Sequence, residues 1–330
     1  MKVVMTGAAG FLGQKLIARI LADPQLPSPQ GPRAVTQLCL FDVVEPPIPA
    51  VSSAKSPAIS TQVGDITRAD DLTQLLGEQA DVIVHLAAVV SSAAEADLDL
   101  GLRVNLDGTR TLLEVCRGLA QPPMVVFASS VAVYGGALPA VVTDNTALTP
   151  QSSYGAQKVM GEQLINDFSR RGLIDGRVLR LPTIAVRPGR PNAAASSFAS
   201  SIIREPLQGE TAVLPVPETL ALNLLSPRAV IANMVHALGI PAADFGASRS
   251  VMLPGCCVAV SDMLAALERA GGPAARERVH AQPDAGIEAI VGGWPARFDT
   301  AKANALGFSA DRDIDAIIAA FIEEDRIDAC

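Results

Sequence analysis

Apolar residues recur along the chain in two alternating patterns, and both are strongest in the first 185 positions. Short runs that are apolar throughout predict strands buried on both faces, as in a parallel sheet covered by helices on two sides. Longer stretches between these runs repeat their apolar residues with a helical period. The predicted strands are residues 3–5, 37–41, 59–63, 81–86, 124–128 and 176–181, and the predicted helices are residues 11–21, 102–119 and 154–170. This order predicts an α/β fold with a Rossmann-type, doubly wound parallel sheet.

Beyond Leu181 the regular alternation weakens, although the pattern still predicts a strand at 250–253 and helices at 260–270 and 314–324. We expect residues 1–181 to form the domain built on the parallel sheet, with a return segment near 220–240. Residues 182–330 are expected to form mostly a smaller C-terminal domain that covers the mouth of the sheet. Two proline-rich stretches, 23–33 and 45–57, predict surface loops.

Composition narrows the classes of function. The chain has 26 Lys and Arg against 34 Asp and Glu, a net charge of −8 without a basic run, which argues against a nucleic-acid partner. Five scattered cysteines and three histidines lack the spacing of metal ligands, so no metal site is expected. The longest apolar stretch, 124–142, is interrupted by serine, glycine and proline, which argues against a membrane span. The chain opens on strand residues without an apolar leader, which favours a cytoplasmic location.

The first candidate site is a glycine cluster where the first predicted strand meets the first predicted helix. Residues 6–13 read TGAAGFLG, with Phe11 and Leu12 opening the helix. Gly7 allows a tight turn, Gly10 lets a diphosphate approach the backbone, and Gly13 lets helix and strand pack closely. Backbone N–H groups at a helix start bind phosphate. The cluster and its context predict a dinucleotide site.

Two acidic positions follow neighbouring strands. Asp42, at the end of the second strand, is placed to accept hydrogen bonds from an adenosine ribose and to repel a 2′-phosphate, which favours NAD over NADP. Asp42 lies further from Gly13 than the usual spacing of about 20 residues, and the insertion at 23–33 accounts for the excess. Asp65 and Ile66 are expected to line the adenine pocket. A solvated loop carboxylate is the alternative interpretation of Asp42.

A tyrosine and a lysine lie four residues apart on the predicted helix 154–170. Tyr154 and Lys158 share one face of the helix at this spacing. A free tyrosine has a pKa of about 10, and a neighbouring cation lowers that pKa toward neutral pH. The pair is therefore a candidate acid/base unit, although such pairs also occur on ordinary helix surfaces. Ser130, at the end of the 124–128 strand region, can hold the reacting oxygen, or it can satisfy local backbone groups.

The order of these motifs resembles the extended short-chain dehydrogenases of the NAD-dependent epimerase/dehydratase family. The resemblance covers about the first 185 residues and is carried by TGAAGFLG at 6–13, Asp42, Asp65–Ile66, HLAA at 85–88, VNLDGT at 104–109, SSVAVYG at 129–135 and YGAQK at 154–158. It implies NAD as the cofactor of residues 1–181, and catalysis by Tyr154, Lys158 and Ser130, with Asn105 supporting a proton path to Lys158.

The resemblance also implies cofactor contacts and an assembly. Besides the residues already named, the implied cofactor contacts are Leu86, Ala87, Ala88, Asn105, Ala128, Tyr154, Lys158, Leu181, Pro182, Thr183 and Ile184. Relatives of this fold pair two helices into a four-helix bundle, and a homodimer through residues 102–119 and 154–170 is therefore expected.

The C-terminal half bears on the substrate. Nucleotide-sugar enzymes of the family usually carry an aromatic, acidic strand where residues 220–228 here read LALNLLSPR. The segment 186–198 is similar to that of sugar-acid dehydrogenases that oxidise a four-carbon acid at C2. The candidate substrate residues are Ser91, Ser130, Tyr154, Arg187, Arg190, Asn192 and Ser196. The sequence therefore favours NAD-dependent oxidation of a small sugar acid. A nucleotide-sugar 4-epimerase or dehydratase with retained NAD, and a non-catalytic NAD sensor, remain as alternatives.

Overall fold

A computed structural model describes residues 1–49, 56–189 and 194–325. The strands are β1 (Lys2–Thr6), β2 (Gln25–Leu26), β3 (Arg33–Ala34), β4 (Gln37–Asp42), β5 (Ala58–Val63), β6 (Val82–His85), β7 (Met124–Ser130), β8 (Asp175–Leu181), β9 (Thr183–Ile184), β10 (Ala212–Leu214), β11 (Ala221–Leu225), β12 (Ser250–Met252), β13 (Cys256–Ala259) and β14 (Val279–Ala281). The helices are α1 (Phe11–Ala22), α2 (Ala69–Leu76), α3 (Ser91–Ala96), α4 (Leu98–Gly101), α5 (Thr109–Arg117), α6 (Ser153–Arg170), α7 (Phe198–Leu207), α8 (Pro227–Gly239), α9 (Val260–Gly271), α10 (Pro273–Glu277), α11 (Ala285–Gly292), α12 (Ala301–Ala305) and α13 (Ile314–Glu324).

Seven of the described strands form one parallel sheet in the order β12-β8-β7-β6-β1-β4-β5. The chain starts in the middle of this sheet at β1, runs outward through β4 and β5, and returns to β6 on the other side of β1. This reversal opens a crevice at the carboxyl ends of β1 and β6, where open α/β sheets bind their ligands. The predicted Rossmann-type fold is confirmed.

The burial of β1 and α1 shows how the sequence pattern builds this sheet. The three central residues of β1 are fully buried, as expected for a strand that packs against helices on both faces. Helix α1 buries a single stripe with helical spacing, formed by Gly13, Leu16, Ile17 and Ile20. These two elements therefore meet in one apolar core, and the loop between them is held at the edge of the crevice.

Residues after Leu181 contribute to both parts of the molecule. β12 joins the central sheet beside β8, and α8 packs against α1. The three strands β13-β11-β9 form a separate sheet, and helices α7, α9 and α13 share an apolar core with it. The boundary at residue 181 stays a prediction. None of the helices in the described part of the chain has the length and apolar character that a bilayer crossing requires.

Three details differ from the sequence-based expectations. The predicted helix 102–119 starts as a π-helical segment, Leu102–Gly108, and continues as α5 to Arg117. The predicted loop 23–33 contains the short antiparallel hairpin β2–β3, and residues 50–55 of the second loop lie outside the described residues. The sequence pattern also does not predict helix α7, because its serines and Pro206 obscure the helical period. Pro206 has no N–H to donate to the preceding turn, and α7 ends one residue later, at Leu207.

Candidate active site

A cavity of about 700 Å³ lies at the crevice. Its walls come from the carboxyl ends of the central strands, from the N-terminal end of α1 and from the face of α6 that carries Tyr154 and Lys158. The residues predicted from sequence that line it are Gly7, Gly10, Phe11, Leu12, Asp42, Ile66, Leu86, Ala87, Ala88, Ser91, Ala128, Ser130, Tyr154, Lys158, Leu181, Pro182, Thr183, Ile184, Arg187 and Ser196. Tertiary structure therefore brings together side chains that are up to 189 positions apart.

The glycine turn has the shape of a phosphate cradle. A Cβ on Gly7 would lie 2.5 Å from the backbone nitrogen of Ala87, and a Cβ on Gly13 would lie 2.6 Å from the carbonyl oxygen of Gly7. Gly10, by contrast, has only the Gly7 carbonyl nearby, at 3.2 Å, and it caps α1 without a side-chain hydrogen bond. The N-terminal N–H groups of α1 therefore face open space, which fits the diphosphate of a dinucleotide.

Asp42 lies beside this turn and contacts it directly. One carboxylate oxygen accepts a hydrogen bond from the backbone N–H of Ala9 at 2.9 Å, and the other accepts from Val43 at 2.7 Å. The next wall residues, Val43 and Val44, are 69% and 57% exposed. The carboxylate thus fixes the turn while it stays on the cavity surface, and the valines offer an apolar wall for an adenine.

We expect Asp42→Ala to raise the KM for NAD by roughly tenfold, because one charge-assisted hydrogen bond contributes about 1.5–3 kcal/mol. Asp42→Asn keeps an acceptor for Ala9 and loses the charge, so it should mainly relax the exclusion of NADP. Initial-rate kinetics with both cofactors measure these effects, and Asp65→Ala is the matched control. Unchanged constants in Asp42→Ala, or an equal change in Asp65→Ala, would contradict this assignment.

Asp65 does not line the cavity, contrary to the expectation for the adenine pocket. Its carboxylate accepts hydrogen bonds from the backbone N–H and the hydroxyl of Thr67, at 2.9 and 2.8 Å. The backbone hydrogen bond from Thr67 is the largest contribution that lowers the pKa of Asp65, although partial burial opposes it. The side chain therefore closes its own turn, and only Ile66 of this pair faces the cavity.

Tyr154 and Ser130 approach each other across the cavity from different elements. Tyr154 lies in the first turn of α6, and Ser130 ends β7, where its hydroxyl accepts a hydrogen bond from Ala132. Burial raises the pKa of Tyr154 to about 12, and the positive charge of Arg187 and the hydrogen bond from Ser130 act to lower it. Arg187, a candidate substrate residue, therefore also lowers the pKa of the phenol.

Lys158 is held behind Tyr154 by groups of β7. Its ammonium donates to the carbonyl oxygen of Ala128 at 2.9 Å and lies 4.7 Å from the ring centroid of Phe127 and 5.5 Å from that of Tyr154. Burial lowers the pKa of Lys158 to about 8, and the negative charge of Glu162 opposes this shift. The ammonium therefore titrates close to neutral pH.

Asn105 lies in the π-helical segment and does not line the cavity. Its amide exchanges two hydrogen bonds with the backbone of Val89, at 2.7 and 3.0 Å, and donates to the side chain of Gln157 at 2.7 Å. These contacts clamp the loop after β6, which forms one wall of the cavity. The structure thus places Asn105 as a support for that wall, and a proton path through it to Lys158 stays a prediction.

Arg187 lines the cavity beside Ser196. Its guanidinium donates to the carbonyl oxygen of Ile184 at 3.1 Å and to the hydroxyl of Ser196 at 3.0 Å, and it lies 5.7 Å from the ring centroid of Phe11. Ser91 accepts a hydrogen bond from the backbone of Ala195 at 3.1 Å. Burial lowers the pKa of Arg187 to about 10, so the arginine stays charged at neutral pH.

Two other predicted substrate residues, Arg190 and Asn192, lie outside the described residues. Arg204, a further arginine near Arg187, is 2% exposed and does not line the cavity. Its guanidinium donates to Glu205 and to the carbonyl oxygen of Arg187, both at 2.6 Å. Arg204 therefore supports the Arg187 backbone.

Sequence reasoning missed the part of the cavity wall that comes from distant loops. Trp294, the only tryptophan in the sequence, lines the cavity 140 positions after Tyr154. It packs against the apolar clusters that contain Val131, next to Ser130, and Ala195, next to Ser196. Trp294 thus lies in the part of the wall near Ser130 and Ser196. No local motif marks it, and its uniqueness in the chain was the available signal.

Residues 3–228 match the family model described as NAD dependent epimerase/dehydratase family. The chain is 50% identical to D-erythronate dehydrogenase of Cupriavidus necator, covering 98% of each chain. It is 46% identical to D-erythronate dehydrogenase of Haemophilus influenzae, covering 98% of this chain and 100% of the relative. Among solved structures, a nucleoside-diphosphate-sugar epimerase from Agrobacterium tumefaciens is similar with a TM-score of 0.91 and 40% identity, over 98% of this chain and 94% of that one.

Proposed function

Since the chain belongs to the NAD dependent epimerase/dehydratase family and uses NAD, we propose that it oxidises the C2 hydroxyl of a small sugar acid, D-erythronate. Two relatives of nearly full coverage carry the name of this dehydrogenase. The observation that carries the proposal is the position of Arg187, a partly buried guanidinium in the same cavity as Tyr154. Arginine binds carboxylates through two parallel hydrogen bonds, which suits a small anionic substrate.

Each reacting group has a defined task in this proposal. Ser130 donates a hydrogen bond to the substrate C2 oxygen and orients it toward Tyr154. The Tyr154 phenolate takes the hydroxyl proton as the C–H bond breaks, and Arg187 holds the carboxylate. NAD, when bound, accepts the hydride, and its positive ring favours the phenolate. The products are a 2-keto acid, NADH and one proton.

The electrostatics of the site explain why the phenol needs its neighbours. Burial raises the pKa of Tyr154 to about 12 even though Arg187 and Ser130 act to lower it, so almost none of the phenol is ionised at neutral pH. The ammonium of Lys158 lies 5.5 Å from the ring centroid and is a further cation on the same side of the helix. The positive nicotinamide ring, when NAD is bound, would lower the pKa further toward the pH at which general base catalysis is efficient.

A nucleotide-sugar epimerase is the second candidate, because the similar Agrobacterium structure bears that name. Net formation of NADH distinguishes the two reactions, since an epimerase returns the hydride to its substrate. We expect NADH absorbance with D-erythronate in a panel of three- to six-carbon sugar acids. No NADH with any acid, together with epimerisation of a nucleotide sugar, would overturn the proposal.

We also propose that the protein is a homodimer formed by residues 102–119 and 154–170. Met160 on α6 is 36% exposed, and pairing of these helices would cover this apolar side chain. Sedimentation equilibrium at micromolar concentration should give twice the 34.2 kDa mass of one chain. A mass of one chain would exclude the dimer.

A further inference from the structure

A buried carboxylate lies one helical turn beyond the candidate acid/base pair. Tyr154, Lys158 and Glu162 are spaced four residues apart on α6 and therefore share one face of the helix. Glu162 is 0% exposed, and it is not among the residues that line the cavity. A buried charge is unfavourable unless other groups pair with it, so its partners indicate why it is there.

The partners of Glu162 come from three neighbouring strands of the central sheet. Ser129 on β7 donates to one carboxylate oxygen at 2.5 Å, and Ser250 on β12 donates to the other at 3.2 Å. Arg180 on β8 binds both oxygens, through Nε at 2.9 Å and Nη2 at 2.7 Å. Ser129 and Arg180 are register partners in the sheet. One carboxylate therefore ties α6 to β7, β8 and β12.

Two hydrogen bonds fix α6 against the strand that carries Ser130. Lys158 donates to the carbonyl oxygen of Ala128, and Glu162 accepts from the next residue, Ser129. The following residue of β7 is Ser130 itself. Consecutive turns of α6 are thus bonded to consecutive residues of β7. This double attachment sets the position of Tyr154 relative to Ser130.

The same carboxylate sets the charge balance around Lys158. The charged or titratable groups facing this region are Glu162 and Tyr154 on α6, His85 on β6, Tyr134 after β7, Arg180 on β8 and Arg187 after β9. Burial lowers the pKa of His85 to about 3, so His85 is neutral in the working range. Glu162 is the anion whose charge raises the pKa of Lys158, against the effect of burial.

We propose that Glu162 is a positioning residue which, bound by Arg180 and Ser129, keeps Lys158 protonated at working pH and fixes Tyr154 against Ser130. The expected effect on kcat/KM rests on the proposed dehydrogenase function, whereas the expected effect on the charge of Lys158 does not. Loss of the carboxylate leaves Arg180 without its buried counter-ion and removes the negative charge that raises the pKa of Lys158. The ammonium then loses its proton at a lower pH.

The first test is the pH dependence of kcat/KM for D-erythronate in Glu162→Gln. The alkaline limb should move down by roughly 1–2 pH units, the shift typical of losing an opposite charge at close range. Glu162→Asp keeps the negative charge but moves it further from Lys158, because the side chain is shorter, and should shift the alkaline limb less. This variant also provides a test if Glu162→Gln does not fold. Glu218→Gln, at an exposed residue paired with Arg276, is the control of equal charge change and should leave the limb in place.

The second test measures the protonation of Lys158 directly and requires no substrate turnover. A small amine-reactive acylating reagent modifies Lys158 only when the amine has lost its proton. The extent of acylation, measured by mass spectrometry across a pH series, gives the midpoint of this deprotonation. The midpoint should fall in Glu162→Gln. A lowered midpoint in a protein that oxidises no sugar acid would refute the proposed function and keep this inference. An unchanged midpoint, or a loss of kcat equal at every pH, would overturn the inference and leave Glu162 as a structural residue.

Discussion

Tyr154→Phe is expected to lower kcat for D-erythronate oxidation by about 10²–10⁴-fold, the contribution of a positioned general base. The substitution removes only the phenolic oxygen that faces Ser130 and Arg187 in the cavity. The ring and its neighbour Lys158 remain, so the affinity for NAD should change little. Single-turnover kinetics measure the chemical step, and calorimetric titration with NAD measures binding.

The other tyrosine of the chain provides a matched control for this variant. Tyr134 is 1% exposed, and its hydroxyl accepts a hydrogen bond from Arg180 at 2.7 Å, away from the cavity lining. Tyr134→Phe should lower the melting temperature and keep kcat within a few-fold. If Tyr154→Phe retains more than a few per cent of the wild-type rate, another group accepts the proton.

The raised pKa of Tyr154 also sets the direction of the pH dependence. The pKa of Tyr154 is raised to about 12, so the working pH lies below the pKa. In that range the phenolate fraction rises about tenfold for each unit by which the pH increases. The oxidation rate should therefore rise with pH on the acid side. Reduction of the keto acid, which needs the protonated phenol, should fall. The residual rate of Tyr154→Phe should lack this slope.

Arg187→Ala is expected to lower kcat/KM for D-erythronate by about a hundredfold. Each charge-assisted hydrogen bond to a carboxylate contributes about 1.5–3 kcal/mol, and a guanidinium can make two of them. Part of the loss should appear in kcat, because the charge of Arg187 also lowers the pKa of Tyr154. Arg187→Lys keeps the charge but not the planar fork, and should recover only part of the activity.

The comparison with an uncharged substrate separates carboxylate binding from general damage. Turnover of the polyol erythritol should lose far less than turnover of the acid, since only the acid has a carboxylate for Arg187. Arg68→Ala, which changes the same charge at a side chain that is 66% exposed, should leave both substrates unaffected. Equal losses for acid and polyol would mean that Arg187 holds the loop rather than the substrate.

Among the site residues, those fixed by local spacing could be predicted. The turn at Gly7 and Gly10 and the helix face shared by Tyr154 and Lys158 depend on contacts within a few residues, and the structure forms both as expected. The end of β4 likewise brings Asp42 to the cavity, because parallel strands end at one edge of their sheet.

Two other predicted side chains, Asp65 and Asn105, do not line the cavity, because competing partners decide the direction of each. Asp65 follows a strand as Asp42 does, but the hydroxyl and N–H of Thr67 bind its carboxylate locally. Asn105 turns to the loop at Val89 within a π-helical segment that no hydrophobic period predicted. Hydrogen bonds to nearby groups satisfy both side chains and hold them away from the cavity.

The α/β class, the alternation of strands and helices in the first 185 residues and the clustering of Tyr154, Lys158 and Ser130 near the strand ends follow from hydrophobic period and short-range spacing. The place of Trp294 in the cavity wall and the effect of Arg187 on the phenol depend on long-range packing. The same is true of the carboxylate of Glu162, which ties α6 to three strands. These contacts join residues that are far apart in the chain, so no local sequence pattern predicts them.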